Sequence, residues 1–362
     1  MIKDFFDKHF EEYPKKVLVA VSGGADSMAL TLMLSDFCHE NGVVLVAVTV
    51  DHGMREGSDV EAIAVGNALL ERRVEHKILK VGGSFEVNIE ANLRNARYDL
   101  IADFAAENGV EHVFTGHHKG DQAENFLIRL FRGSQLDGLS GMDEVVELKG
   151  LNLCRPFLST AKEGLVTYLQ DRGVIWFEDE SNKDERFLRN KVRGFLDRFE
   201  EKDVICDRIV KFSEIVREAR DSQDKEVLEA ALDMLIFVES GENKGSFLLN
   251  LAKYREADCK TVLKMLSLVM MEVSQKGYKP RLEGLGLFER DILALEKGQK
   301  RDFYGCQAKL LTKSNAGNVL ELLGEQDLED FLWIYPLQKS GDFRFRTILR
   351  GLSFKSEAKS LV

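Results

Sequence analysis

Between residues 17 and 116, short apolar runs rich in β-branched residues alternate with longer stretches whose apolar positions recur at helical spacing. The runs are VLVAV (17–21), VVLVAVTV (43–50), HKILKV (76–81) and HVFTG (112–116). Met28, Leu30, Leu32, Met33, Leu34 and Phe37, and later Leu100, Ile101, Phe104 and Ala105, mark intervening helices. This order predicts right-handed βαβ units and hence a doubly wound α/β fold with a mostly parallel sheet. From about residue 200 the pattern changes to helices with charged faces, over 203–239 and 255–275, and short candidate strands return at 318–323, 330–335 and 343–349. The expected organisation is a catalytic domain over 1–199, a helical substrate domain over 200–313 and a small α+β C-terminal unit over 314–362.

Length supports this division, because 362 residues exceed what one hydrophobic core usually serves. No window approaches eighteen uncharged apolar residues, and the opening MIKDFFDKHFEEYPKK is charged throughout, unlike a signal peptide. A cytoplasmic protein without a membrane partner is expected. The five cysteines stand too far apart for a closely spaced zinc or redox pair. A net charge of −11 argues against a nucleic-acid partner for the surface as a whole. Locally the balance reverses: 186–198 holds five bases against one acid, and 336–362 holds six bases against two. An acidic protein can still present a basic groove.

Ligands of open α/β sheets bind beyond the carboxyl ends of the strands. After the first strand the chain reads Ser22-Gly23-Gly24-Ala25-Asp26-Ser27. Small residues let the backbone curl around an anion, and the helix that follows points its positive end at the same place. Asp26 is out of place in a loop that only binds anions, but an acid beside phosphates is suited to holding Mg²⁺. After the second strand, Asp51 and His52 either reach adenine or ribose or cap the strand. Glu90, Arg94 and Arg97 share a helix face, as a solvated salt-bridged stripe or as a phosphate contact. His117 and His118 point opposite ways and make a poor metal pair, whereas Asp121 and Glu124 share a face at a helix start, as cation ligands or capping acids. Arg189 and Arg193, four apart, either grip phosphodiesters or form a solvated basic face.

The loop resembles the pyrophosphate loop of the N-type ATP pyrophosphatases, or PP-loop superfamily. The series SGGADS, VDHGMR, NIEANLRNARY, GHHKGDQAEN, RGSQLDGLSGM, RPFL and EDESNKDERFLRNKVR, in that order over about 15–198, resembles tRNA(Ile)-lysidine synthase. That resemblance implies an ATP-dependent ligase that joins lysine to C2 of the wobble cytidine in the CAU anticodon of isoleucine tRNA, through an adenylated cytidine. It implies ATP and Mg²⁺ as cofactors, tRNA(Ile) and L-lysine as substrates, and leaves a homodimer open. The residues it marks for ATP are Ser22, Gly23, Gly24, Ala25, Asp26, Ser27, Asp51 and His52, with Asp26 also the metal ligand. Asp26, Asp121, Glu124 and Arg94 are the expected catalytic residues. Asp121, Glu124, Arg97, Arg132, Arg155, Asn182, Arg189, Asn190 and Arg193 are expected to meet lysine or tRNA. The chain departs from the family pattern at Gly120, where an aspartate is usual, and at Asn125, where a threonine is. One missing charge-assisted contact costs roughly 1.5–3 kcal/mol, enough to slow the enzyme without abolishing it.

Overall fold

The computed structural model describes residues 1–53, 57–82, 89–177, 188–238, 244–276, 278–312, 330–337 and 349. They divide into two compact units, Met1–Arg217 and Glu218–Val362.

In the first unit, strands β1 Lys16–Ala20, β2 Val44–Asp51, β3 Glu75–Lys80 and β4 His112–Phe114 occupy the four predicted runs. A hairpin, β5 Val145–Leu148 and β6 Leu151–Cys154, extends the sheet to the order β3-β2-β1-β4-β6-β5. All pairings are parallel except β5 with β6. The hairpin has no counterpart in the sequence pattern, because strands of four residues interrupted by Asn152 and Glu147 give no readable period.

Val17, Leu18 and Val19 are wholly buried, since helices cover both faces of the sheet. One layer holds α1 Ile2–His9, α2 Ala25–Asn41, α3 Ser58–Leu70 and α7 Lys162–Gln170, whose apolar residues share one core. On the other, α4 Ile89–Glu107 places Tyr98, Ile101 and Ala105 against Leu18, Val46 and Val48. Within α1, Phe6 stacks on Phe114 at 5.3 Å and 7° and meets Phe37 at 4.3 Å. This aromatic wedge fixes the end of β4 relative to α2, the two elements that carry the site. The helix α5 Lys119–Phe131 packs its Ala123 with Val192 and Leu196 of α8 Leu188–Leu196.

The second unit is built on an antiparallel sheet, in the order β7 Leu235–Val238, β8 Ser246–Asn250, β11 Phe331–Pro336, β10 Cys306–Leu310 and β9 Lys300–Phe303. The helices α10 Leu251–Glu256, α11 Cys259–Ser274 and α12 Leu282–Leu293 pack on it, and Met265, Leu266, Phe247 and Leu249 are among the most buried residues. The helical stretch expected over 203–239 stops at Met234, where α9 Lys202–Met234 ends and Leu235-Ile236-Phe237-Val238 becomes a strand. Four consecutive buried apolar residues fit a strand covered on both faces as well as a helix, so periodicity could not separate them. Of the three candidate strands near the C-terminus, 330–335 coincides with β11, and those at 318–323 and 343–349 lie outside the described residues apart from Leu349.

Candidate active site

Chain direction in a parallel sheet brings the ends of β1, β2 and β4 together, and the chemistry-bearing loops leave from those ends. Gly24 caps α2 in an extended conformation, so Ala25, Asp26 and Ser27 form the first helical turn rather than a free loop. Gly23 takes φ +86°, and a Cβ there would meet Val65 Cγ2 at 2.9 Å and Phe177 Cδ2 at 3.2 Å. Its carbonyl accepts the Phe177 N–H at 2.9 Å. The Ser27 hydroxyl donates to the Gly24 carbonyl at 3.0 Å and stands 3.2 Å from Ser22 Oγ, which draws both hydroxyls to one side of the turn. The first amides of α2 have no helical acceptor, so the loop is a ready anion cradle. We expect Gly23→Ala to raise the KM for ATP at least tenfold, since both left-handed φ and close packing oppose a side chain; unchanged ATP kinetics would show the loop can reshape.

A cavity of about 210 Å³ opens over this cradle, with Ser22, Gly24, Asp26 and Ser27 on one wall and Arg94, Arg97 and Tyr98 of α4 on another. Gly116 and His117, after β4, close it. Gly116 presses against the backbone of the cradle: a Cβ would lie 2.9 Å from the Asp26 carbonyl carbon and 3.0 Å from Ser27 N. The Arg94 guanidinium lies over the Tyr98 ring at 5.1 Å, and Arg97 bonds His52 Nε2 at 3.0 Å. Asp51 accepts from the Gly53 N–H at 2.9 Å and the Ser58 hydroxyl at 2.7 Å, contacts that hold its carboxyl below the usual range and brace the turn after β2.

Two carboxylates face the space between α2 and α5. Asp26 Oδ1 is buried without a hydrogen-bond partner, while Oδ2 stands 3.7 Å from His118 Nε2. Burial pushes the Asp26 carboxyl above its ordinary value, against the opposing pull of His118 and Lys162. For Asp121 burial again acts upward, but His118, His117, Arg189 and the His118 N–H outweigh it and hold the group below its ordinary value. Neighbouring acids displaced in opposite directions are a feature of sites with divided proton roles. His118 caps α5, its Nδ1 accepting the Gly120 N–H at 2.9 Å while Asp121 Oδ2 accepts the His118 N–H at 3.0 Å.

Glu124, one turn further along α5, is 4% exposed and takes Arg193 in a two-pronged contact at 2.7 and 3.1 Å. Arg189 approaches the same carboxylate at 3.4 Å. The structure therefore brings Arg189 and Arg193 to an acid 65 and 69 positions earlier in the chain, on the inner face of α8. A smaller cavity of about 80 Å³ beside them is lined by His118, Gly120, Glu124, Lys162, Arg193 and Lys202, among others.

A model of the PP-loop domain family matches residues 1–198, more than half of the chain. Over 300 residues the chain is 30% identical to the tRNA(Ile)-lysidine synthase of Wolbachia pipientis wMel, spanning 82% of this chain and 69% of the relative. The chain belongs to the tRNA(Ile)-lysidine synthase family. The enzyme of that name from Rhodopseudomonas palustris is 30% identical over 314 residues, 86% of this chain and 88% of its own. Among solved structures, the U34-tRNA thiolase NcsA of Methanococcus maripaludis with its [4Fe-4S] cluster shares the fold, with a TM-score of 0.51 at 16% identity over 60% of this chain and 78% of that one. As a member of the lysidine synthase family the chain is an ATP-using, tRNA-modifying ligase.

The expected lysidine synthase site residues are not all brought to the cavities. Ser22, Gly24, Asp26, Ser27, Arg94 and Arg97 line the larger one and Glu124 and Arg193 the smaller, with Gly23 and Ala25 in the cradle, Asp121 beside His118 and Arg189 on Glu124. Arg155 is buried just after β6, donating from Nη1 to the Asp143 carbonyl at 2.7 Å with Nε left without a partner, and Asn190 lies in the first described turn of α8. Arg132 is exposed at the far end of α5, roughly 16 Å along the helix from Asp121, and is not brought to the cavities. Asn182 lies outside the described residues.

Gly116, His117, His118 and Lys162 are the residues that motif reasoning named without a role or passed over. Lys162 sits at the start of α7 and lines the smaller cavity near enough to Asp26 to act on its charge. Only an unexplained lysine after RPFL signals it in the sequence. His117 and His118 line different cavities. Burial, aided by Arg155, Arg94 and Arg189 and opposed by Asp121, pushes His117 down to about 4. Above pH 6.5 this ring is neutral folded or unfolded; between 6.5 and about 4 only the unfolded chain gains the proton, so stability is lost as pH is lowered across that window. The expected loss is about 2 to 3 kcal/mol and should shrink in His117→Gln, read from melting temperature against pH; equal acid sensitivity of both proteins would overturn it.

Proposed function

We propose that this chain ligates L-lysine to C2 of the wobble cytidine of the CAU anticodon of isoleucine tRNA, which changes codon reading from AUG to AUA. The observation that carries the reading is the placement of the pyrophosphate cradle and the Asp121–Glu124 turn on either side of one His118 ring. The order of bond changes is the one that membership of the family implies. The cytidine C2 carbonyl oxygen attacks the α-phosphate of ATP, forming O-adenylated cytidine and expelling pyrophosphate. The lysine amine then attacks C2 and expels AMP.

The amides at the start of α2 and the hydroxyls of Ser22 and Ser27 hold the departing pyrophosphate, and Arg94 and Arg97 meet it from α4. Asp26 fits a Mg²⁺ ligand, because its Oδ1 is buried, unpartnered and beside the phosphate cradle. When bound, Mg²⁺ would neutralise phosphate charge there. Asp121 stays ionised near neutrality and binds the lysine ammonium, then accepts its proton. Since Glu124 already holds Arg193, its part is to fix that guanidinium at the edge of the lysine pocket. The anticodon loop is single-stranded, so its cytidine unstacks cheaply to enter. ATP and the tRNA place the enzyme in the cytoplasm.

The alternative is another PP-loop tRNA modifier, a thiolase using persulfide from a partner; only one that carried sulfur on its own cysteines would need accessible thiols near the cradle. Burial pushes Cys38 and Cys154 up to about 12, and Cys206 is also raised. The deciding experiment is mass analysis of isoleucine tRNA after incubation with enzyme, ATP, Mg²⁺ and lysine. A gain of one lysine at the wobble cytidine is expected. Pyrophosphate release that needs tRNA but no lysine supports the first step, and absence of both would overturn the reading.

A further inference from the structure

The His118 ring is one of the most constrained groups in the site. It is 6% exposed and caps the first turn of α5. With Nδ1 accepting the Gly120 N–H, a neutral ring carries its hydrogen on Nε2. That Nε2 stands 3.7 Å from Asp26 Oδ2 and 3.6 Å from Asp121 Oδ2, between the acid of the cradle and the acid of α5. The seat exists because residue 120 has no side chain: a Cβ there would lie 2.7 Å from His118 Cε1 and 3.1 Å from Nδ1. The ring is held on this seat by the Gly120 N–H, which donates to Nδ1 at 2.9 Å, and its backbone is tied to Asp121 through the His118 N–H at 3.0 Å.

We propose that His118, seated on Gly120, is the positioning residue that sets the separation of the Asp26 and Asp121 carboxylates by offering one N–H between them. The inference rests on the reading that Asp26 serves ATP and Asp121 serves lysine. Two like charges facing a buried space repel each other, and an N–H dipole 3.7 and 3.6 Å from their oxygens, just beyond hydrogen-bond length, attracts both electrostatically and offsets that repulsion. A glycine at 120 is then one half of a matched pair rather than a lost carboxylate. Adding a side chain at 120 should harm the enzyme, even an aspartate, as long as His118 keeps its seat.

The two ring nitrogens can be tested separately. His118→Asn retains an acceptor near Nδ1 for the α5 cap but removes the Nε2 donor, whereas His118→Gln places an amide N–H near Nε2. The expected result for His118→Asn is a near-native melting temperature, a lysine KM raised roughly tenfold and a kcat lowered by on the order of 10 to 100. His118→Gln should recover a good part of the lysine KM. Gly120→Ala and Gly120→Asp should lower activity in the native background and change little more once His118 is asparagine. Lysine affinity, measured calorimetrically on enzyme saturated with tRNA and a non-hydrolysable ATP analogue, should follow the same order. Native kinetics in His118→Asn would overturn the proposal, as would strictly additive losses for residues 118 and 120. If Asp26→Asn and Asp121→Asn themselves left lysine incorporation intact, the functional reading would fail; if those two abolished it while the His118 variants did nothing, only the positioning role would.

Discussion

Asp26→Asn is expected to lower tRNA-dependent pyrophosphate release by on the order of 10²–10³, while tRNA affinity stays nearly native. The side chain keeps its volume and place in the first turn of α2, so the cradle geometry built from Gly23, Gly24 and Ser27 is preserved. What is lost is the charge on an unpartnered, buried oxygen beside the phosphates. Stability should move the other way. Burial raises the Asp26 carboxyl above its ordinary value, which means folding disfavours its charged form at neutral pH. An asparagine removes that cost, so the variant should melt at the same or a higher temperature than the native enzyme. A dead variant with a lower melting temperature would point to a structural Asp26, and a variant that still releases pyrophosphate would remove it from the mechanism. Collapse of tRNA binding would show that Asp26 contacts the RNA instead of the nucleotide side.

The parallel half of the fold was legible because strands buried on both faces appear as continuous apolar runs, as β1 and β2 do, whereas the edge strand β3 is charged and only partly covered and shows just Ile78-Leu79 at its centre. Apart from β11, which coincides with the run at 330–335, the antiparallel strands were illegible, and three reasons can be separated. β5 and β6 are four residues each; β7 continues the apolar content of α9 without a break; and β9, Lys300-Arg301-Asp302-Phe303, is an exposed edge strand carrying charge, as edges often do. The site shows the same split between local and long-range information. A small-residue loop after a strand announces an anion cradle from its own composition. Nothing in the spacing of Arg189 and Arg193 announces Glu124 as their partner, because that contact depends on how α8 packs against α5. Gly120 is the sharpest instance: in the sequence it reads as an absent carboxylate, and in the structure as room for an imidazole.

That packing contact gives the second large effect. Arg193→Ala would leave Glu124, 4% exposed, with only the 3.4 Å approach of Arg189 in place of a two-pronged ion pair. Removing one partner of a buried pair costs about 3 to 5 kcal/mol, chiefly because the other charge stays buried without compensation. Arg189 offsets part of this, so a loss near 3 kcal/mol is expected for the first unit, measured by urea denaturation. Removing both partners, in Glu124→Ala with Arg193→Ala, should return a large share of that stability, since the buried carboxylate is gone and the remaining cation, Arg189, is 31% exposed. Activity should not return with it. If the pair sets the edge of the lysine pocket, the double variant folds well and still shows a lysine KM raised at least tenfold, in line with losing one charge-assisted contact. Recovery of stability and lysine kinetics together would make the ion pair a packing device only. A double variant as unstable as the single one would mean that packing of the Arg193 stem, and not its charge, holds α8 to α5.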